Sequence, residues 1–249
     1  MRSIKYIAFA FGASAFILSG CSDSFLDKTP DERVEINTPT KCVQLLNTAY
    51  PEGSYGWVCE ISSDNIADNN APHYPSNPNA KQILTHYNLG TYDRTDDEMY
   101  RFEPGVSSTS QDSPSFLWNT FYNSVHAANY VLEAINDGKV NSDDSGYDLK
   151  VAAAEAKLIR AYDHFILVNV FSQAYKDPEA SKKDIGVPYV TVPETNTGVK
   201  YDRGNVTEVY DKIQQDLEEG LAGISDATYR TAPKYHFNVN AAHAFAARF

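Results

Sequence analysis

Between Ser113 and Gly138 the apolar residues Leu117, Phe121, Val125, Ala128, Leu132 and Ile135 recur every three or four positions. That spacing gathers side chains into one stripe along an α-helix. Ser113-Pro114 offers an N-cap followed by a first-turn proline, and Gly138 offers a stop. A second stripe runs through Val206, Tyr210, Ile213, Leu217, Leu221 and Ile224, after a capping-box pair at Asn205 and Glu208. Asp211, Asp216, Glu218 and Glu219 are expected on its outer face. Residues 149–174 differ, being apolar almost all round near "FILVNVF". A helix without a polar face belongs in the middle of a core, and Asp163 and His164 interrupt this one too early for a membrane span. Thr38-Pro39 opens an earlier helix carrying Val43, Leu46 and Tyr50, and a shorter one is expected over residues 58–68. A last helix starts near Asn238 and runs to Phe249 without a C-cap or polar tail, the pattern of a chain cut inside an element. The best strand candidate is "GVPYVTV", 186–192, which Pro188 confines to a sheet edge or an extended connector. The class is therefore mainly α, with helix pairs stacked in the manner of tetratricopeptide repeats, although residues 175–204 make a longer connector than that repeat has.

The amino terminus has another pattern. "MRSIK" supplies two cations, residues 6–18 are uncharged and mostly apolar, and polar Ser22, Asp23 and Ser24 follow at once. This is the charged head and short body of an export signal, too short for a hydrocarbon core that needs about 20 apolar residues. Leu18-Ser19-Gly20-Cys21 resembles a bacterial lipobox. The resemblance implies removal of residues 1–20 and lipidation of Cys21, with 21–249 as the mature part. Several acyl chains on one residue make a stable tether where a single chain is marginal.

The formal net charge is −12, and loss of Arg2 and Lys5 with the leader takes it to −14. Such a surface repels phosphate backbones, and with no basic stripe a nucleic-acid partner is not expected. Cys42 and Cys59 are consistent with a disulfide in an exported protein or with buried free thiols, and they give no metal spacing. No HExxH, GxSxG or GxxxxGK[ST] occurs, so neither an enzyme nor a cofactor is expected. His126 and His164 fall within helices and are read as hydrogen-bonded structural residues. Asn141, Asp143, Ser145 and Gly146 match half of a calcium loop, but Ala152 stands where the closing glutamate belongs, leaving a solvated turn between helices. Asp96, Asp97 and Glu98 read as a charged exposed turn rather than a glycosidase pair.

Residues 69–111 carry the most informative non-helical composition. His73, Tyr74, Tyr87, Tyr92, Tyr100 and Phe102 alternate with Asn69, Asn70, Asn77, Asp93 and Arg94. A pyranose presents an apolar C–H face to a ring and a rim of hydroxyls to bidentate polar groups, so the mixture suits sugar recognition. The same tyrosines would also serve to pin a loop of this length onto the helices.

An anchor cysteine followed by "FLD", then "WNTFYNSVHAANYVLEAI", "AEAKLIRAYDHFILVNVFSQAY", "GVPYV", "RGNVTEVYDKIQQDLEEGL" and "NVNAAHAFAARF" together resemble the amino-terminal portion of a SusD/RagB-type lipoprotein of Bacteroidota. The resemblance covers the whole mature chain. It implies a SusD-like helical fold with long binding loops, truncated at the carboxyl end. It further implies a non-catalytic outer-membrane lipoprotein, lipid-anchored and surface-exposed, that binds oligosaccharide, or peptide in some branches, and caps a SusC-like TonB-dependent transporter. Ser63-Asp64-Asn65 matches a family segment that precedes the ligand loop. By that match Asn69, Asn70, His73 and Tyr74 lie nearest the ligand, with Tyr55 and Trp57 from the preceding turn as walls, while Tyr92 and Arg94 are candidates from the loop's aromatic and polar composition. The tryptophan pair of starch-binding members is missing. A peptide-binding relative and a structural or adhesin protein are the other readings.

Overall fold

The computed structural model describes residues 35–66, 95–103, 111–196, 198–229 and 233–249. Cys21 lies outside them, as does most of the aromatic loop. Residues 36–249 form one compact unit.

Its centre is α5 (Leu149–Phe171), flanked by α4 (Pro114–Asn136) and α7 (Val206–Gly223), its two most extensive packing partners. The all-round apolar pattern of α5 is explained by this position: Leu158, Ile159, Ile166, Leu167 and Val168 are all buried. α1 (Pro39–Asn47) packs on α4 and α5, and α8 (Val239–Arg248) packs on α7. The caps are those the sequence predicts. Thr38, Ser113 and Asn238 each accept a first-turn N–H, and Asn205 with Glu208 forms a reciprocal capping box. Gly138 follows α4 at φ +65°, a left-handed turn that glycine reaches without a Cβ clash.

Where α7 meets α5 the helices approach closely. A Cβ on Gly220 would stand 2.6 Å from Leu158 Cγ and 3.1 Å from the Ala154 carbonyl oxygen. We expect Gly220→Ala to destabilise by about 1–3 kcal/mol despite its better helix propensity, because overpacking outweighs the roughly 1 kcal/mol gained from replacing glycine. A shift in the urea midpoint measures this, and an unchanged or higher midpoint contradicts it.

Several expectations need correction. The second helix, α2, spans Tyr55–Ile61 rather than 58–68. It stops early because the Ser63 amide and hydroxyl both donate to the Glu60 carbonyl, while Asn65 Nδ2 donates to the Glu60 carboxylate. α3 (Thr95–Tyr100) is a short helix inside the region read as non-helical, pinned by buried Thr95 and Met99 and packed against α2. Asp216 is not on the outer face of α7. It is 5% exposed, one turn beyond Ile213, where it meets Arg160. Cys42 and Cys59 are free thiols, the first buried and the second exposed, so the disulfide alternative does not hold.

The stretch 186–192 is an extended connector. Beside it the only bridge among the described residues pairs Ile185 with Asn205. Side chains do the work that a sheet would do. Tyr122 OH donates to the Pro188 carbonyl, Asn129 Nδ2 to those of Val190 and Val192, and the Val190 amide donates to His164 Nε2 at 3.1 Å. Because Nε2 accepts, the His164 proton sits on Nδ1 and is donated to the Arg160 carbonyl at 2.8 Å. Both nitrogens of His164 are thus committed, and Tyr189 stacks on its ring at 3.9 Å. This histidine is structural, as its setting suggested.

A second buried network ties residues 235–238 to the core. Glu155 accepts from Tyr50 OH at 2.5 Å and lies 2.8 Å from His236 Nδ1, while Tyr50 OH in turn accepts the Phe237 amide. The turn after Asn141 is solvated as expected. There Asp143 accepts from the Thr40 amide and hydroxyl, and these bonds together with Ser145 hold its carboxyl well below the usual range.

Candidate functional site

Of the candidate ligand residues, Tyr55 and Trp57 are described. Asn69, Asn70, His73, Tyr74, Tyr92 and Arg94 lie outside the described residues. The two that are described do not form one wall. They stand two positions apart on α2, which turns them about 200° from each other.

Tyr55 is directed into the body. Its hydroxyl accepts from Arg248 NH1 at 2.7 Å, and the Arg248 guanidinium lies over the rings of Tyr55 and Phe165 at 5.4 and 5.5 Å. Tyr162 is hydrogen-bonded to Tyr55, and burial pushes its phenol up to about 12. This packing makes Tyr55 a link between α2, α5 and α8.

Trp57 faces outward, 42% exposed. Its indole N–H donates to Asp96 on α3 at 3.2 Å. The bond fixes the orientation of the ring while leaving part of it open. Asp96, read from sequence as part of an exposed charged turn, is the residue that positions it. Nothing in the spacing of Trp57 and Asp96 signals this contact, because it arises from the packing of α2 on α3. Phe102, just past α3, is 73% exposed with φ +54°. The Ser63-Asp64-Asn65 segment is the turn that closes α2, with the Asn65 amide donating to Ser63 Oγ.

Among the described residues no group of three His, Cys, Asp or Glu side chains is placed to hold a metal ion. No helix among them is long and apolar enough to cross a membrane.

Residues 24–249 match the family model SusD-like_3, described as starch-binding and associating with the outer membrane. The chain belongs to the SusD-like family. No curated protein matches it. Solved structures share the SusD-like fold. A SusD superfamily protein from Bacteroides thetaiotaomicron VPI-5482 is 21% identical with a TM-score of 0.60, over 85% of this chain and 42% of that one. One from Bacteroides vulgatus ATCC 8482 is 20% identical with a TM-score of 0.59, over 85% and 42%. A laminarin-binding SusD-like protein is 19% identical with a TM-score of 0.50, over 85% and 40%. The chain thus spans about 42% of the length of the first of these SusD-like structures.

Proposed function

We propose that this SusD-like chain belongs to a lipid-anchored outer-membrane protein that binds oligosaccharide and passes it to a SusC-like TonB-dependent transporter without chemical change. The family match over residues 24–249, to a family described as starch-binding and outer-membrane-associated, carries the reading. The oriented, half-open indole of Trp57 supports it, since a ring held from one side by Asp96 suits a pyranose face. Asn69, Asn70, His73, Tyr74, Tyr92 and Arg94 are proposed to complete the site from the loop. Cys21, directly after Leu18-Ser19-Gly20, is proposed as the lipidated residue.

Isothermal titration of the complete protein against laminarin and starch oligosaccharides, and separately against a peptide digest, tests the reading. Saturable glycan binding is expected, weakened by about 2 kcal/mol, or roughly 30-fold, in Trp57→Ala. Binding of peptides alone would overturn the glycan assignment, and the absence of any saturable ligand would leave a structural role. Anchoring is checked separately. Cys21→Ala should abolish palmitate incorporation and release the protein from the membrane fraction.

A further inference from the structure

A cleft of about 690 Å³ lies at the carboxyl end of α5, walled by Phe171 and Ser172 on one side, by Lys183, Asp184 and Ile185 on another, and by Arg203. It is an open depression rather than an enclosed pocket, so a ligand would lie against it with one side in solvent. These residues come from three places in the chain: the end of α5, the stretch that follows α6 (Pro178–Ser181), and the segment just before the Asn205 cap.

Three features suit the cleft to a particular ligand. First, Arg203 is fixed in place, with Nε donating to the Gly186 carbonyl at 2.7 Å and NH2 to the Phe171 carbonyl at 3.2 Å. These bonds use two of the five guanidinium N–H groups, and the rest make no other hydrogen bond among the described residues. A planar donor held rigidly, with its remaining N–H groups available, is preorganised for a carboxylate. Lys183 adds a second cation against the single acid Asp184, so the cleft is locally positive in a chain of net charge −12. Second, Ser172 Oγ is shielded from solvent and has no hydrogen-bond partner among the described residues. Ser172 is among the residues lining the cleft, and a ligand hydroxyl is one group that could supply the partner its own hydroxyl lacks. Third, Phe171 is held by an edge-on Trp118 at 5.0 Å, and Ile185 is 63% exposed. Both give apolar surface beside the cations.

We propose that this cleft binds an acidic saccharide, one or two rings long and carrying a uronate carboxylate. In it Arg203 and Lys183 take the carboxylate, Ser172 takes a ring hydroxyl, and Phe171 with Ile185 covers a C–H face. The proposal rests on the glycan-binding reading and adds a second, charge-selective site whose lining does not include Trp57. A neutral sugar would leave the excess of one positive charge over Asp184 unmatched, and a bare anion would leave the apolar walls uncovered.

The test is calorimetric titration of the complete protein with digalacturonate and, separately, with its dimethyl ester. Saturable binding of the diacid is expected, at least tenfold weaker for the ester, and at least tenfold weaker for the diacid in both Lys183→Gln and Arg203→Gln. Arg203 also ties two backbone carbonyls, so its variant can lose fold as well as binding. Lys183 is exposed and makes no such tie, and its variant therefore decides the matter. Equal affinity for acid and ester overturns the charge selectivity, full affinity in Lys183→Gln overturns the location, and no saturable diacid binding overturns the proposal. Titration with neutral laminarin oligosaccharides judges the general glycan reading independently, since that reading needs neither Lys183 nor Arg203.

Discussion

Replacing Asp216 with alanine in the complete protein is expected to lower folding stability by about 3–5 kcal/mol, the cost of stranding a buried charge. Arg160 meets Asp216 through two bonds, Nε to Oδ2 at 2.6 Å and NH2 to Oδ1 at 2.7 Å, with side chains only 10% and 7% exposed. Arg160 NH1 also donates to Asn129 Oδ1, and Tyr189 OH donates to Asp216 Oδ2. The loss therefore spreads along the chain of contacts that holds 186–192 against α4, α5 and α7. Urea unfolding at an unchanged m-value measures the cost, and limited proteolysis should report faster cleavage within the connector. The double change Arg160→Met with Asp216→Leu should recover much of the loss, because two apolar side chains carry no stranded charge. A single-variant cost under about 1 kcal/mol, the range of exposed pairs, would show that the pair is solvated rather than buried.

This network marks the boundary of what is legible in the sequence. Periodicity located the long helices because each buries one stripe, and an error of a residue or two leaves the stripe in place. It misplaced Asp216 because a charged side chain reads as solvent-facing unless its partner is known. That partner, Arg160, is remote in sequence. Pro188 leaves 186–192 open between an edge strand and an extended connector, and none of its clamps is legible, since Tyr122, Asn129 and His164 act through tertiary approach alone. The same limit applies to the site. The position of Trp57 before the loop makes it a candidate, whereas Asp96, which orients it, and Tyr55, turned away by helix geometry, follow only from the packing of α2. Arg203 entered as part of the "RGNV" motif. Its two carbonyl contacts depend on the end of α5 meeting the stretch before α7.

The second large effect is a pair of opposed pH dependences at neighbouring positions on α5. Burial pushes His164 down to about 4 from an ordinary 6.5. Between those values the unfolded chain binds a proton that the folded protein refuses, so stability falls as the pH drops from about 6.5 to 4, by about 3 kcal/mol in all. Asp163 behaves in the opposite sense. It is fully buried, and desolvation raises its carboxyl well above the ordinary range. Ser124 has one hydroxyl proton, which it gives to the Ala49 carbonyl at 2.6 Å. Asp163 is then the donor in its close contact with Ser124 Oγ, and a neutral carboxyl has the proton this needs. Above about pH 4 the unfolded chain releases a proton that folded Asp163 keeps, so this residue favours folding less as pH rises. The two slopes nearly cancel in the wild type through the range where both operate. Asp163→Asn keeps a neutral donor of the same shape. It should be more stable than the wild type at pH 7, lose that advantage toward pH 4, and expose the full His164 slope. His164→Gln keeps an acceptor for the Val190 amide and should show the reverse, falling in stability as pH rises above 4. Thermal unfolding of the three proteins from pH 4 to 7.5 resolves the slopes, and parallel curves for Asp163→Asn and the wild type would mean that Asp163 is ionised in the folded protein.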